Sequence, residues 1–375
     1  MKRPGGRRRG MAPLSTVAAV AGAAALLAGC GGGAKKAVKS ALQVTTTTTV
    51  ARTTTTRPKH VSVCPLTGAP SPSGKLPQRA AVAVKVENLP AARPQWGLDQ
   101  ADIVFEEPVE GGITRFIAVY QCEGASRIEP VRSARLVDAQ ILEPLGKILF
   151  AYSGAIQPVI QEVDSPSSLL EDVGADTSGN AYWRDPTRVE PHNLATSTKL
   201  LYQAAAAKGY PEPPPKAIFT YGALPAGGKP VIAAHIDYPL DITSWTWSSE
   251  SHRWLRSYAC PPGVQQVCTP DDSGPAMLGG GEQISAANVV VMQVAMYPTR
   301  YVEDATGAHE NELTLTGTGP AWVFRDGEEF VGRWVRPALT DPATFEEKDG
   351  TKLTLAPGNT WEELVPDGQG VTVTG

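Results

Sequence analysis

The first 60 residues contain no aspartate, no glutamate and no aromatic side chain. A stretch without acids or rings has little with which to build a packed core, so its information concerns address rather than fold. Absences elsewhere are as restrictive. No GxSxG, GxxxxGK[ST] or GxGxxG sequence follows a strand, which removes the usual nucleophile elbow and the phosphate-binding and dinucleotide-binding loops. No CxxC or HxxxH spacing occurs, and His60, His192, His235, His252 and His309 are scattered, so no metal and no cofactor is expected.

Lys2, Arg3, Arg7, Arg8 and Arg9 precede a charge-free apolar stretch from Met11 to Ala28, the order of an export signal. That stretch is marginal for a spanning helix, which needs about 20 apolar residues. It ends in "LLAGCGGG", where the small Ala28 and Gly29 let a peptidase approach the backbone before Cys30. This resembles the lipobox of bacterial lipoproteins, which implies cleavage after residue 29 and thioether lipidation of Cys30. One acyl chain holds weakly, whereas two or three hold firmly at about 0.8 kcal/mol per buried methylene. The expected location is therefore the outer face of the cytoplasmic membrane. Residues 30–60, with two threonine runs and six basic side chains, read as a disordered tether.

Eleven of the 34 basic residues and none of the 38 acidic ones fall in the first 60, so residues 61–375 hold 23 basic and 38 acidic side chains, a net of −15. So acidic a body lacks the basic footprint that nucleic acid requires. Besides Cys30 there are Cys64, Cys122, Cys260 and Cys268, an even number in an oxidising compartment. Three pairings are open; Cys64 with Cys122 and Cys260 with Cys268 is favoured because each bond then stays within one half of the chain.

Residues 61–210 read as an α/β domain. "RAAVAVKVEN", "ADIVFEEPV" and "GGITRFIAVYQC" have strand character, and "ARLVDAQILEPLGK" carries apolar residues at helical spacing. "ILFAYSGA" reads as a buried strand, "IQPVIQEV" as a short helix, and "TSTKLLYQAAAAKG" as a helix capped by Thr196 or Ser197 and ended by Gly209. The prolines of "YPEPPPK" open a linker over 211–229. Residues 230–368 read as mostly β, with "SWTWSS", "HRWLRSY", "ANVVVMQVAMY", "NELTLTG", "PAWVFRDGEEFVGRWVR" and "TKLTLAPG" as strands. The fold class is thus an N-terminal mixed α/β domain followed by a mostly β C-terminal one.

The polar signals gather in the first domain. Glu106, Glu107 and Glu110 stand beside Gly111 and Gly112, with Thr114 and Arg115 next; Arg132, Ser133 and Arg135 follow, then Arg184, Asp185, Arg188, His192 and Asn193. Arg132 and Arg135 fall where the longer helix begins. There they can join free backbone N–H groups and Ser133 Oγ in holding a phosphate or carboxylate, or be neutralised by the glutamates in a structural ion-pair network. His192 has the titration range of a general base or an orienting donor. Trp245, Trp247, Trp254, Trp322, Trp334 and Trp361 serve either as a sugar-stacking face or as core.

"ENLPAARPQWGLDQADIVFEEPVEGGITRFIAVY", "EPVRSARLVD", "RDPTRVEPHNL", "NVVVMQV" and "PGNTWEELVPDG" together resemble the YerB-like lipoproteins, a family of unknown function with DUF3048 N-terminal and C-terminal domains. The resemblance implies a two-domain, membrane-anchored extracytoplasmic protein and supplies no catalytic residue. The cysteine-bounded segment 260–268 and "LGGGEQ" depart from the family pattern. Three functions follow as expectations. The first is a cell-envelope binding or accessory module that takes an anionic wall glycan or docks an envelope enzyme. The others are a hydrolase or transferase on an anionic wall polymer, and a structural protein whose charges pair internally.

Overall fold

The computed structural model describes residues 62–375 apart from 212, 264–267 and 304–306, so the export signal, Cys30 and the tether lie outside the described residues. Among the described residues no helix is long and apolar enough to cross a membrane.

The valine-rich segments of the first half form β1 (Val82–Glu87), β2 (Ile103–Pro108) and β3 (Thr114–Tyr120), buried on both faces. Next come α1 (Leu136–Leu142), β4 (Ile148–Ala151), α2 (Gln157–Val163), β5 (Leu170–Asp172) and α3 (Thr198–Lys208). Ser197 caps α3 by accepting the Leu200 amide, and Gly209 ends it in the left-handed region at φ 70°, a conformation that glycine adopts without a Cβ penalty.

The second half supplies β6 (Ala233–Asp237), β7 (Ile242–Ser248), β8 (Arg253–Ala259), β9 (Asn288–Val294), β10 (Met296–Val302) and β11 (His309–Leu313). It ends with β12 (Gly317–Arg325), β13 (Glu328–Arg336), β14 (Thr344–Glu346), β15 (Thr360–Pro366) and β16 (Val371–Thr374). Two expectations fail here. "ANVVVMQVAMY" is two strands broken at Ala295, because β9 pairs inside the large sheet while β10 leaves it to pair with β11. "TKLTLAPG" forms only isolated bridges at Lys352 and Leu355, since its two leucines turn inward as a loop rather than joining a ladder.

The large sheet runs β14-β13-β12-β9-β15-β2-β3-β1-β4-β5. Strand β15 pairs in parallel with β9 on one side and with β2 on the other. The 211–229 segment therefore separates the sequence signals but not the sheet, which the two halves build jointly. A second sheet, with β8-β7-β6-β16 in that order, draws on the C-terminal half alone.

Each face of the large sheet carries a core. Val82, Val84, Phe116 and Trp361 pack toward Trp245 and Trp254, whereas Ile103, Phe105 and Ile117 pack toward Ile141 of α1 and Val159 of α2. Trp245 meets Trp361 edge-on at 5.2 Å, and Trp254 meets Phe324 at 5.7 Å. Trp334 is buried and Trp247 and Trp322 pack against the core, so these six rings are internal packing rather than a sugar platform. Disulfides join Cys64 to Cys122 and Cys260 to Cys268, as favoured from the sequence.

Candidate functional site

Period-two alternation sorts the charged residues of β1–β3 between the two faces of the sheet. Lys85, Glu87, Glu107 and Arg115 share the face under α1. Glu106 and Thr114 point the other way, toward the second sheet, where Arg256 of β8 meets Glu106 at 2.6 Å. Register places Glu87 opposite Arg115 on β3, and Arg115 opposite Glu107 on β2.

Arg135, at the N-cap of α1, is almost fully buried and binds Glu110 through Nε at 2.7 Å and Glu303 through Nη1 at 2.8 Å. Arg115 completes this knot, 3.4 Å from Glu110 and 3.3 Å from the Ser133 carbonyl. Burial pushes Glu310, which also faces Arg135 and the neighbouring Glu303 carboxyl, up to about 8. The helix start offers little to an external anion, because Asp138 accepts the Arg135 amide at 2.8 Å and Glu310 the Leu136 amide at 3.3 Å. The protein's own carboxylates occupy these donors, as the internally paired alternative requires.

Arg132 is different. Its side chain is 24 % exposed, with Nε 3.2 Å from the buried Glu87. The same carboxylate holds His192 Nδ1 at 2.9 Å, and that side chain is 21 % exposed. Arg188 binds the Ala92 carbonyl at 2.6 Å and lies 3.5 Å from Glu129. Glu129 also takes Arg127 Nε at 2.7 Å, while Arg127 lies over the Trp96 ring at 4.3 Å and pairs with Asp185. Asn193 hydrogen-bonds the Asp185 and Arg188 carbonyls at 3.3 Å, which shapes the 185–193 loop. Arg184 projects outward, bonded to Asn193 Oδ1 at 2.8 Å and near Glu190. Thr114 is buried against Glu106 at 2.6 Å and faces away from this loop.

Arg115, Arg132, Ser133, Arg135, Glu110 and His192 thus gather around the ends of β1–β3, while Arg184 and Thr114 stand apart. Sequence reasoning missed Glu87 and Glu129, the carboxylates that organise the exposed cations, and also Lys85, Asp138, Glu303 and Glu310. The signal for Lys85 was legible, since a lysine in the apolar "AVAVKVE" needs a buried partner; it has two, Glu107 and Asp138. Burial lowers its ammonium to about 8.

This division gives the first test. Arg135→Ala leaves three carboxylates without their guanidinium and is expected to cost about 3 kcal/mol. Arg132→Ala removes a part-exposed pair worth about 1 kcal/mol or less. Urea unfolding midpoints of the two variants should separate accordingly, and equal losses would contradict the assignment of Arg135 to the interior.

Sequence comparison places the chain in a family. The N-terminal domain of the protein of unknown function DUF3048 matches residues 66–211, and its C-terminal domain matches residues 234–361. The chain belongs to the DUF3048 family. Among curated proteins it is 29 % identical over 310 residues to the Bacillus subtilis (strain 168) protein named "Putative lipoprotein YerB", covering 81 % of this chain and 86 % of that one. The crystal structure of the YerB protein from Bacillus subtilis superposes with a TM-score of 0.66 at 25 % identity, over 83 % of this chain and 99 % of that one. The DUF3048 fold is thus a mixed α/β region followed by a mostly β region, and a lipoprotein relative fits a membrane-anchored chain.

Proposed function

We propose that this DUF3048 protein is a lipid-anchored module on the outer face of the cytoplasmic membrane that binds an anionic envelope polymer through Arg127, Arg132, Arg188 and His192. One observation carries the reading: the three guanidinium groups and the His192 ring are partly exposed while the carboxylates that position them, Glu87 and Glu129, are buried. Negative charge is turned inward and positive charge outward, on a body that is otherwise strongly acidic. Guanidinium groups already fixed by such partners lose little freedom when they take a phosphate or carboxylate. Lipidation at Cys30 and the Thr-rich tether would give this face its reach toward the wall.

Retention of the purified protein on isolated wall polymers tests the reading. The wild type is expected to be retained and an Arg132→Ala, Arg188→Ala double variant to wash through; equal retention removes the proposal. Anchoring is tested separately. Cys30→Ala is expected to move the protein from the membrane fraction to the soluble exported fraction, and unchanged fractionation would reject lipidation there.

The hydrogen bond between His192 and Glu87 supports a second reading, a hydrolase or transferase on the same polymer with His192 as base and the arginines holding the anion. Glu110 is not available for that role, because Arg135 and Arg115 hold its carboxylate and draw it below the usual range even though burial opposes them. Mass spectrometry of wall fragments and teichoic polymers after incubation should then show a product that His192→Ala abolishes. No product from the wild type would reject this alternative.

A further inference from the structure

A groove of about 560 Å³ lies between α1 and the β10–β11 hairpin and shares no lining residue with the cationic face. Its volume is in the roughly 300–1,000 Å³ range of small-ligand sites. One wall is α1 and its C-cap: Leu136, Ala139 and Gln140 lie on one face of the helix with Val137 beside them, and Glu143 follows at the C-cap. The other wall includes Thr299, Arg300 and Tyr301, three consecutive residues of β10. Consecutive side chains of a strand point to opposite faces, so three in a row can line one groove only where the edge of the strand is turned toward it.

The register confirms that this edge is irregular. Pro298 pairs with Asn311 and Val302 with His309, so Thr299, Arg300 and Tyr301 have no register partner on β11. The Thr299 carbonyl instead meets the His309 ring at 2.7 Å and the Tyr301 amide donates to Thr299 Oγ1 at 3.1 Å, which leaves Arg300 as the residue of this run whose main chain no side chain among the described residues engages. Among the described residues β10 pairs with no other strand. The groove lining has an unbalanced charge: Glu143, Glu162 and Glu312 stand against Arg300, whose guanidinium is bonded to the Tyr301 hydroxyl at 2.9 Å, while the buried Arg336, bonded to the Gln140 carbonyl at 2.7 Å, adds a positive charge near Glu143 from beneath the lining. Leu136, Ala139 and Leu339 add an apolar floor between the carboxylates.

From these features we infer that the groove binds a short extended peptide bearing ammonium side chains. On the β10 edge the Arg300 amide and carbonyl would bond the main chain of an added strand. The apolar floor accepts the aliphatic stems of lysine-like side chains, and the carboxylates at the rim accept their heads. An anionic ligand would meet three carboxylates against one lining guanidinium and be repelled. This site is therefore separate in its lining and opposite in charge from the cationic face.

Titration of the detergent-solubilised full chain with two fluorescent tetrapeptides tests the inference, one alternating lysine with valine and the other alternating glutamate with valine. The lysine peptide is expected to bind saturably and at least about tenfold more tightly than the glutamate peptide. Its affinity should fall about tenfold in a Glu143→Gln, Glu312→Gln double variant and stay unchanged in Arg132→Ala. A backbone N-methylated lysine peptide should bind more weakly than its parent. Equal binding of the two charge types, no saturable binding, unchanged affinity in the double variant, loss in Arg132→Ala, or full binding by the N-methylated peptide would each overturn it.

Discussion

Replacing Arg256 with alanine is expected to destabilise the protein by about 3–5 kcal/mol, enough to abolish folding in many domains of this size. Arg256 is fully buried between the sheets, with Nη2 2.6 Å from Glu106 and Nη1 3.1 Å from Glu363. It is also packed beside rings, 4.8 Å from the centroid of Trp361 and 5.1 Å from that of Tyr258. Glu106 additionally accepts from Thr114 and Asn88, and Glu363 from Tyr238 and Trp245. Removing the guanidinium leaves two carboxylates facing each other without a counter-charge. Burial, reinforced by Glu106, already pushes Glu363 well above the ordinary carboxyl range. The loss should therefore be much smaller in a triple variant that also carries Glu106→Gln and Glu363→Gln. Denaturant unfolding of the single and triple variants reads the difference, and a single variant as stable as the wild type would refute the charge-centred account of this core.

The second large effect is on pH. Burial raises Asp102 to about 7, Glu362 to about 7 and Asp241 to about 6, with Glu310 at about 8. Each folded value lies above its unfolded counterpart near 4, so the native state retains protons that the unfolded chain releases. The stability associated with these groups is fully present below pH 4 and is lost as pH rises through the folded values. Between pH 5 and 8 the combined loss is expected to be on the order of several kcal/mol. Lys85 acts in the next window: its lowered value means the native state binds fewer protons above pH 8, so stability recovers there. Urea midpoints at pH 5, 6.5, 8 and 9.5 should fall and then rise, and Glu362→Gln should flatten the fall. A midpoint that rises from pH 5 to 8 would exclude these groups as the controlling titrations.

Elements whose cause is local are legible in the sequence. Strands β1–β3 follow from valine-rich runs, and α3 from its serine cap and terminal glycine. The β12–β13 turn follows from Asp326-Gly327, both at positive φ as such a hairpin turn requires. Strand β15 was not legible as the sheet's centre, because "TWEELVP" places Glu362 and Glu363 where a doubly buried strand would carry aliphatic residues. Glu363 is tolerated there because Arg256, distant in sequence, pairs with it, and at Glu362 burial raises the carboxyl to about 7 against the opposing charge of Arg336. The candidate site shows the same limit. Its arginines and His192 were identifiable by type and clustering, but Glu87 became a partner through the alternation of β1, which a one-residue slip would reverse, and Glu129 through an isolated bridge to Trp96 that no local pattern announces. Which guanidinium is interior and which is accessible was therefore a property of the fold and not of the motif.

The position of β15 has a consequence for biogenesis. Synthesis runs from the N-terminus, so β2 leaves the ribosome with one edge open, and that edge stays open until residues 360–366 arrive. Throughout that interval a long apolar ladder is exposed to proteases and to neighbouring chains. Polypeptides cut short before residue 360 would lack the keystone of the sheet and should be degraded rather than accumulate as a half-sized, working product.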